Sequence, residues 1–466
     1  MTADKSNDKQ PENLARAFFR QAVALHEQGK LDEAAILYRK LLLLNPKDAS
    51  CWLNLGTLLR AQEHFEAALS CTRRALELTP DSASALTNLG NGLLAEDQNE
   101  EAISAHEKAV KLSPDSFLIR SNYAIALRES SRQDDAIPQF DIACNMKPDD
   151  VQIKWERAIT YLDVARFKEG WEAFEIRWKL GQLKSRGYTV PQWKGEDLTG
   201  KTIVLHEEQG FGDTMLASRY IALVKAKGAA RVILQCNKAL HRLFANIDGL
   251  DKAMEFGPVG EDFHYHVPMM SLPGIFKTDF TNIPAAPKFT PAPELPPLAA
   301  HMLATSKDRL KVGIVWSGSV TFARNRKRAV SASRFLSFAN IPGVQLFSLQ
   351  KGPCEKELAE IGAQSLILEL GPQLNDFADT AAAVKELDLV IMTDSSVAHL
   401  TGSLGVPVWN LLCYRPYWLY TDKRDDCAWY PSMRYFKQEK PGDWDGVFGD
   451  AYAALEKLAA KKLQTK

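Results

Sequence analysis

Two short segments of this 466-residue chain place acidic and hydroxyl residues where a strand gives way to a helix. In the first, the β-branched apolar run 201–207 (KTIVLHE) leads into Glu208-Gln209-Gly210-Phe211-Gly212-Asp213, and residues 214–227 then follow a helical pattern. Gly210 and Gly212 form the turn and Asp213 stands at the start of the helix. Such a loop keeps a carboxylate in a cleft, where the helix dipole lowers its pKa; an Asp before a helix also serves as a simple N-cap. In the second segment, a strand at 389–392 runs into Thr393-Asp394-Ser395-Ser396, and a helix at 397–404 carries His399 on its first turn. Free backbone N–H groups there suit a diphosphate, and His399 can donate to a phosphate oxygen. The plainer reading is a capped helix with one satisfied histidine.

A third group is basic. Lys327 and Arg328 lie in Arg324-Asn325-Arg326-Lys327-Arg328, after a strand at 311–316 that ends in Ser317-Gly318-Ser319, with Gly318 in the donor-binding set. Lys351 ends the next strand, 344–349. Cations at strand C-termini neutralise a leaving nucleoside diphosphate; a solvated surface is the alternative. Asp443-Trp444-Asp445 follows no strand and reads as a capped turn, and His264-Tyr265-His266 as strand decoration, so neither a metal site nor a resident cofactor is expected. Tyr414, Tyr417, Trp418, Tyr420, Trp429, Tyr430 and Trp444 crowd the last segment, to pack the two halves or to stack on a base or sugar.

The elements that must position these residues alternate between strand and helix in two blocks. Strands at 201–207, 231–235 and 262–267 precede a stretch, 283–297, with six prolines, a stiff linker and a boundary. Strands at 311–316, 344–349, 366–369, 389–392 and 408–412, the last clear one, follow it, with a final helix at about 447–463. The expected halves are 195–295, on the acceptor side, and 298–466, on the donor side. Ligands of such sheets bind beyond the carboxyl ends of the strands.

The first third is different. Pro46, Pro80, Pro114 and Pro148 recur every 34 residues, as do Ala34, Ala68, Ala102 and Ala136, and Ala75, Ala109 and Ala143. Trp52-x-x-Leu55-Gly56 followed by Ala68, Ala75 and Pro80 is the TPR pattern: two antiparallel helices per unit, small residues for close approach, and a proline to end the second helix. The repeats span 12–182, as four units and a degenerate capping unit from Val151 with Tyr161, Gly170 and Phe174 at matching places. Asn54, Asn88 and Asn122 repeat in register on the first helix of their pairs, the concave side in TPR geometry. Their amides form a ladder for an extended peptide, or are simply tolerated there.

Totals narrow the classes. With 57 basic and 58 acidic residues the net charge is −1, which gives no electrostatic footprint for nucleic acid. Seven cysteines without a Cys-x-x-Cys pair argue against a disulfide framework. No apolar run reaches membrane-spanning length and no secretory h-region is visible, so a cytoplasmic location is expected.

The stretches EQGFGD (208–213), VGIVWSGS (312–319), SLQKG (348–352) and TDSSVAHLTGSLGVPVW (393–409) resemble the GT-B glycosyltransferases. The likeness is to the ADP-heptose–lipopolysaccharide heptosyltransferase family (glycosyltransferase family 9), and most to bacterial TPR proteins carrying a domain of that kind. It covers about 198–447. TPRs ahead of a GT-B region also resemble the O-linked N-acetylglucosamine transferases. The resemblance implies a TPR α-solenoid followed by a two-Rossmann-domain GT-B fold. It implies Asp213 as general base and the Asp394–His399 turn as the donor-diphosphate loop. The expected activity is sugar transfer from a nucleoside-diphosphate sugar, inverting and metal-independent, to an acceptor, a protein or peptide, recruited by the repeats. The alternative is a scaffold whose GT-B domain binds a nucleotide sugar without turnover; an epimerase on the same fold is a third reading.

Overall fold

The computed structural model describes residues 9–181, 183–208, 210–322, 324–421, 424 and 426–464, with side chains from residue 14 onward. Gln209 of the glycine turn lies outside the described residues. The chain divides into two compact units, Met1–Thr160 and Tyr161–Lys466.

The repeats fold as helix pairs: α1 (Lys9–Glu27) with α2 (Leu31–Leu44), α3 (Ala49–Ala61) with α4 (Phe65–Leu78), α5 (Ala83–Ala95) with α6 (Asn99–Leu112), and α7 (Phe117–Glu129) with α8 (Gln133–Met146). A shorter fifth pair follows, α9 (Val151–Asp163) and α10 (Phe167–Phe174). Each periodic proline lies two residues beyond a second helix, where its missing N–H costs nothing. Two residues later an N-cap opens the next helix: Asp48 accepts from the Cys51 N–H at 3.0 Å and Ser82 from the Ala85 N–H at 3.2 Å. The small residues act as expected. A Cβ on Gly56 would lie 2.9 Å from the Thr72 hydroxyl, and one on Gly90 would lie 2.4 Å from the His106 ring. Ala22, Ala34, Tyr38, Cys51, Leu55, Leu58 and Ala68 form one core, and Ala124, Leu127, Ala136, Phe140 and Ala143 another.

The prolines do not announce a second 34-residue rhythm. The tight turn inside each pair takes a left-handed residue, at Gly29, Glu63, Asp97, Ser131 and Ala165, with φ between 57° and 75°. The turn between two close helices demands this conformation, and only Gly29 adopts it without strain. Ala165 keeps the rhythm, so the fifth pair obeys the geometry of the other four.

The second unit holds two all-parallel sheets. One has the order β3-β2-β1-β4, from β1 (Thr202–His206), β2 (Arg231–Gln235), β3 (Lys252–Met254) and β4 (Tyr265–Pro268). The other has the order β10-β9-β8-β5-β6-β7. Its strands are β5 (Leu310–Val315), β6 (Val344–Ser348), β7 (Ile367–Glu369), β8 (Leu389–Thr393), β9 (Val408–Leu412) and β10 (Met433–Lys437). β8 and β9 are buried along their whole length, as expected of parallel strands covered on both faces. Val312, Ile314, Leu346, Ile391 and Leu411 pack there against Phe335, Phe338 and the C-terminal helix Trp444–Gln464.

Three expectations need correction. β9 is not the last strand: β10 pairs with it in parallel, Met433 opposite Val408, and its Arg-Tyr-Phe-Lys alternation is hidden in the aromatic segment. β3 is a three-residue edge strand with no apolar run. The helix expected at 214–227 is two, α11 (Phe211–Ala217) and Ile221–Ala226, separated by a tighter turn around Arg219. The proline-rich stretch is pinned rather than loose: the Thr290 N–H donates to Leu243 O at 2.9 Å and the Ala292 N–H to Ala378 O at 2.9 Å.

Candidate functional site

Every polar group of interest lies at the carboxyl edge of its sheet, because parallel strands all deliver their following loops to that edge. β1 ends at His206 and hands the chain through the glycine turn to α11; β8 ends at Thr393 and leads to the helix Ser396–Ser403. These two helices pack on each other. Gly212 has no room for a side chain, since a Cβ there would lie 2.7 Å from His399 Cδ2 and 3.5 Å from Ser396 Cα. The glycine therefore serves close approach to the second turn, and its φ is not left-handed.

Asp213 is half-buried on the first turn of α11, whose N-cap is Gly210. Its Oδ1 accepts a hydrogen bond of 3.1 Å from the Tyr417 hydroxyl. Burial raises its pKa to about 6, with the Glu208 and Asp394 carboxylates pushing the same way and the Tyr417 hydroxyl and Gly210 N–H opposing. The lowering expected from the helix dipole is outweighed by loss of water. Glu208 is paired internally: both its oxygens bind Arg177, at 2.6 and 3.0 Å, and Oε1 also accepts from the Met270 N–H at 2.8 Å.

Asp394 is buried; its Oδ1 accepts from the Tyr420 hydroxyl at 2.9 Å and its Oδ2 from Arg328 at 3.2 Å. Gly318 lets that guanidinium approach, as a Cβ would lie 2.7 Å from Arg328 Nη2. Arg328 also stacks over the Phe322 ring at 4.6 Å. Ser395 is the N-cap of its helix, yet its hydroxyl makes no capping bond and, among the described residues, has no partner; the Thr393 hydroxyl is likewise buried and unpartnered. His399 Nδ1 lies 3.1 Å from the Tyr430 hydroxyl, and burial depresses the imidazole pKa to about 4 despite the opposing Asp394 charge, so the ring is neutral near pH 7.

The expected residues therefore divide. Gly210, Gly212, Asp213, Gly318, Arg328, Asp394, Ser395, Ser396 and His399 converge on one region. Lys327 stands half-buried beside Arg328 on the short helix Asn325–Arg328. Lys351 is committed to main-chain carbonyls, donating to Gly371 O at 2.8 Å and Leu374 O at 2.7 Å. Asp443 accepts from the Gly446 N–H at 2.9 Å at the start of the last helix, and Asp445 pairs with Arg334 at 2.5 Å. His266 Nδ1 lies 3.2 Å from His206 Nε2, and among the described residues no cluster of three or more His, Cys, Asp or Glu could hold a metal ion. In the repeats, Asn54, Asn88 and Asn122 are half-buried on α3, α5 and α7; Asn88 donates to the Thr57 hydroxyl at 2.8 Å, and Asn122 to Leu118 O at 2.8 Å.

Sequence reasoning missed the tyrosines. Tyr417, Tyr420 and Tyr430 each engage a polar residue of the site, and nothing in the spacing of an aromatic-rich tail assigns a hydroxyl to a carboxylate about 200 positions away. It also missed Gln350, whose buried amide accepts from the Trp316 and Ser317 N–H groups at 3.1 and 3.0 Å and fixes the loop after β5. Arg219 is a third omission: it is buried and donates to Trp429 O at 3.4 Å and Pro284 O at 3.1 Å.

Comparison with known proteins illuminates mainly the helical third. The profile of the middle TPR-like domain of cilia and flagella-associated protein 70 matches residues 15–138. Protein FlbA of Caulobacter vibrioides is 28% identical over 332 residues, covering 64% of this chain, so the likeness extends past the repeats. The chain spans about half the length of that curated relative, 54%. Among solved structures, MamA is 20% identical and covers 34% of this chain and 92% of its own, with a TM-score of 0.31. A thermophilic TPR protein of Thermus thermophilus is 18% identical over 36% of this chain and 91% of its own, with a TM-score of 0.33. No helix among the described residues is long and apolar enough to cross a membrane. The profile match and the 34-residue helix pairs together make this a TPR-containing protein, with a repeat array ahead of a unit of parallel sheets and helices.

Proposed function

We propose that the second unit is a glycosyltransferase of GT-B type that moves a sugar from a nucleoside-diphosphate sugar to an acceptor recruited by the repeats. The observation that carries this reading is the meeting of the Asp213 turn with the Ser395–Ser396 helix start, with Gly212 against His399. At one turn stands a carboxylate whose pKa, about 6, suits a general base near neutral pH. At the other are an uncapped helix start, two buried unpartnered hydroxyls and the Arg328 guanidinium, which suit a diphosphate. Asp213 takes the proton of the acceptor hydroxyl as that oxygen attacks the anomeric carbon from the face opposite the leaving group. The nucleoside diphosphate then departs toward Arg328 and the helix start, with inversion. Lys327 adds positive charge beside Arg328. Lys351 supports this reading less, because its ammonium already serves two carbonyls.

A second reading, a protein-interaction scaffold that only binds the nucleotide sugar, draws on the repeat array and on Arg328 being paired with Asp394 in the unliganded arrangement. A thermal-shift screen against UDP-, ADP-, GDP- and dTDP-sugars, followed by assay of released nucleoside diphosphate, separates the two. A ligand that binds only the folded state raises Tm. A stabilising donor that is turned over supports transfer, a stabilising donor never consumed supports the scaffold, and no stabilisation by any donor removes both.

A further inference from the structure

The loop after β9 ties three distant parts of the second unit together. At its start, the Tyr414 N–H donates to Gln438 Oε1 at 2.9 Å, just past β10. Arg415 then forms a buried ion pair with Asp163, at 2.9 Å with both side chains about 5% exposed. Tyr417 donates to Asp213, and Trp418 packs edge-on against Trp171 of α10 at 5.2 Å. Tyr420 donates to Asp394, and the Thr421 hydroxyl returns to Asp163 O at 2.9 Å. Within eight residues the chain touches the last residue of α9 twice and, between those contacts, each of the two site carboxylates once.

Resting on the reading above, we propose that residues 414–421 form a positioning strap, anchored at Asp163, through which the end of α9 sets where the Asp213 and Asp394 carboxylates stand. Asp163, Arg415, Tyr417 and Tyr420 are then positioning residues, since the first two act only through the last two. The physical basis is the buried anchor. An ion pair withdrawn from water holds its geometry, and removing one partner leaves an uncompensated charge that must move or be hydrated. A phenol on a strap that shifts by an ångström no longer reaches its carboxylate, because hydrogen bonds weaken steeply beyond their normal range. The contacts at Asp163 thus make the ends of α9 and α10 a control point for the site, so strain applied to that helix pair alters the chemistry without touching a substrate.

The test uses the full chain with 13C-carboxyl-labelled aspartate, the Asp213 resonance being assigned by its loss in Asp213→Asn. Groups facing Asp213 are Tyr417 on the strap, Glu208 and the Gly210 N–H on its own segment, and Asp394 on the opposite turn. Tyr417→Phe removes the donor that favours the charged form, and the Asp213 titration midpoint should rise by about one pH unit. Asp163→Asn, far from the carboxylate, should raise it by about half as much, with Asp163→Glu restoring part of the shift. Leu455→Ala, a core change in the C-terminal helix, should leave the midpoint unmoved. Should Asp163→Asn fail to fold, Arg415→Lys, which keeps the charge, takes its place. A midpoint in Asp163→Asn or Arg415→Lys equal to that of the parent, in a folded protein, overturns the strap. The resonance is read without turnover, so an inactive parent would sink the transferase reading alone, and an unmoved midpoint would sink the strap alone.

Discussion

The repeat array and the carboxyl edges of the α/β sheets use one device, a glycine that admits a neighbour, at very different distances along the chain. Gly56 meets Thr72 and Gly90 meets His106, each 16 residues on, and the array repeats this every 34. Gly212 meets His399 and Ser396, more than 180 residues on, once. Local, repeated contacts make an array whose stability is a sum over neighbours. Distant, single contacts make a site whose arrangement depends on the folding of the entire second unit.

The largest effect that probes the distant side of this contrast is Asp213→Asn. Loss of a general base should lower turnover by about a thousandfold while leaving Tm shifts with donor nearly unchanged. In the parent, turnover should rise with pH through about 6 and then level, because the active form is the carboxylate. A parent profile flat from pH 5 to 8 would remove Asp213 from the rate-limiting chemistry.

Gly212→Ala and Gly90→Ala sharpen the comparison directly. The added methyl at 212 presses on the imidazole of His399 and should weaken donor binding roughly tenfold or more, with little loss of Tm, since the strain falls at the site. The same methyl at 90 presses on His106 and should cost about 1–3 kcal/mol of array stability, read by denaturant unfolding, with donor affinity unchanged. Equal behaviour of the two variants would erase the distinction.

His106 gives the array a pH signature. It is fully buried on α6, neither ring nitrogen has a partner among the described residues, and burial lowers its pKa to about 4. Its folded value lies below the unfolded one. The unfolded chain therefore takes up the proton first, and stability is complete above about pH 6.5 and lost as pH falls toward 4, by on the order of 3 kcal/mol. His106→Phe, which copies Phe140 at the same place in the next unit, should abolish that dependence and raise stability near pH 5. A parent and variant that lose stability in parallel below pH 6.5 would show that His106 is hydrated.

The smallest effect concerns the left-handed turns. Glu63→Gly or Asp97→Gly should stabilise the array by about 0.5–1 kcal/mol in denaturant melts, by relieving the strain that Gly29 avoids. Destabilisation would mean that the glycine's extra freedom in the unfolded chain outweighs the relief.

The same contrast explains what the sequence could tell. Proline and alanine periodicity gave the helix pairs, because each residue's role is set by its immediate neighbours. It did not give the left-handed turns, because Glu63, Asp97, Ser131 and Ala165 share a backbone conformation and no chemistry. In the α/β unit the apolar runs gave most strands, and the two turns were legible as turns. β10 was not, since its residues alternate like an exposed aromatic tail, and a parallel partner 25 positions earlier leaves no local mark. The tyrosines on Asp213 and Asp394 were invisible for the same reason, as was the occupation of Lys351 by carbonyls of a loop some 20 residues on.

The central claim is tested most directly by a crystal structure of the full chain with the nucleoside diphosphate of whichever donor raises Tm. The account predicts phosphate oxygens against the Ser395–Ser396 N–H groups and Arg328, with the Asp213 carboxylate facing the space a sugar would fill. A diphosphate bound elsewhere, or phosphates at that helix start with Asp213 turned away behind an intact Gly212–His399 contact, would contradict it.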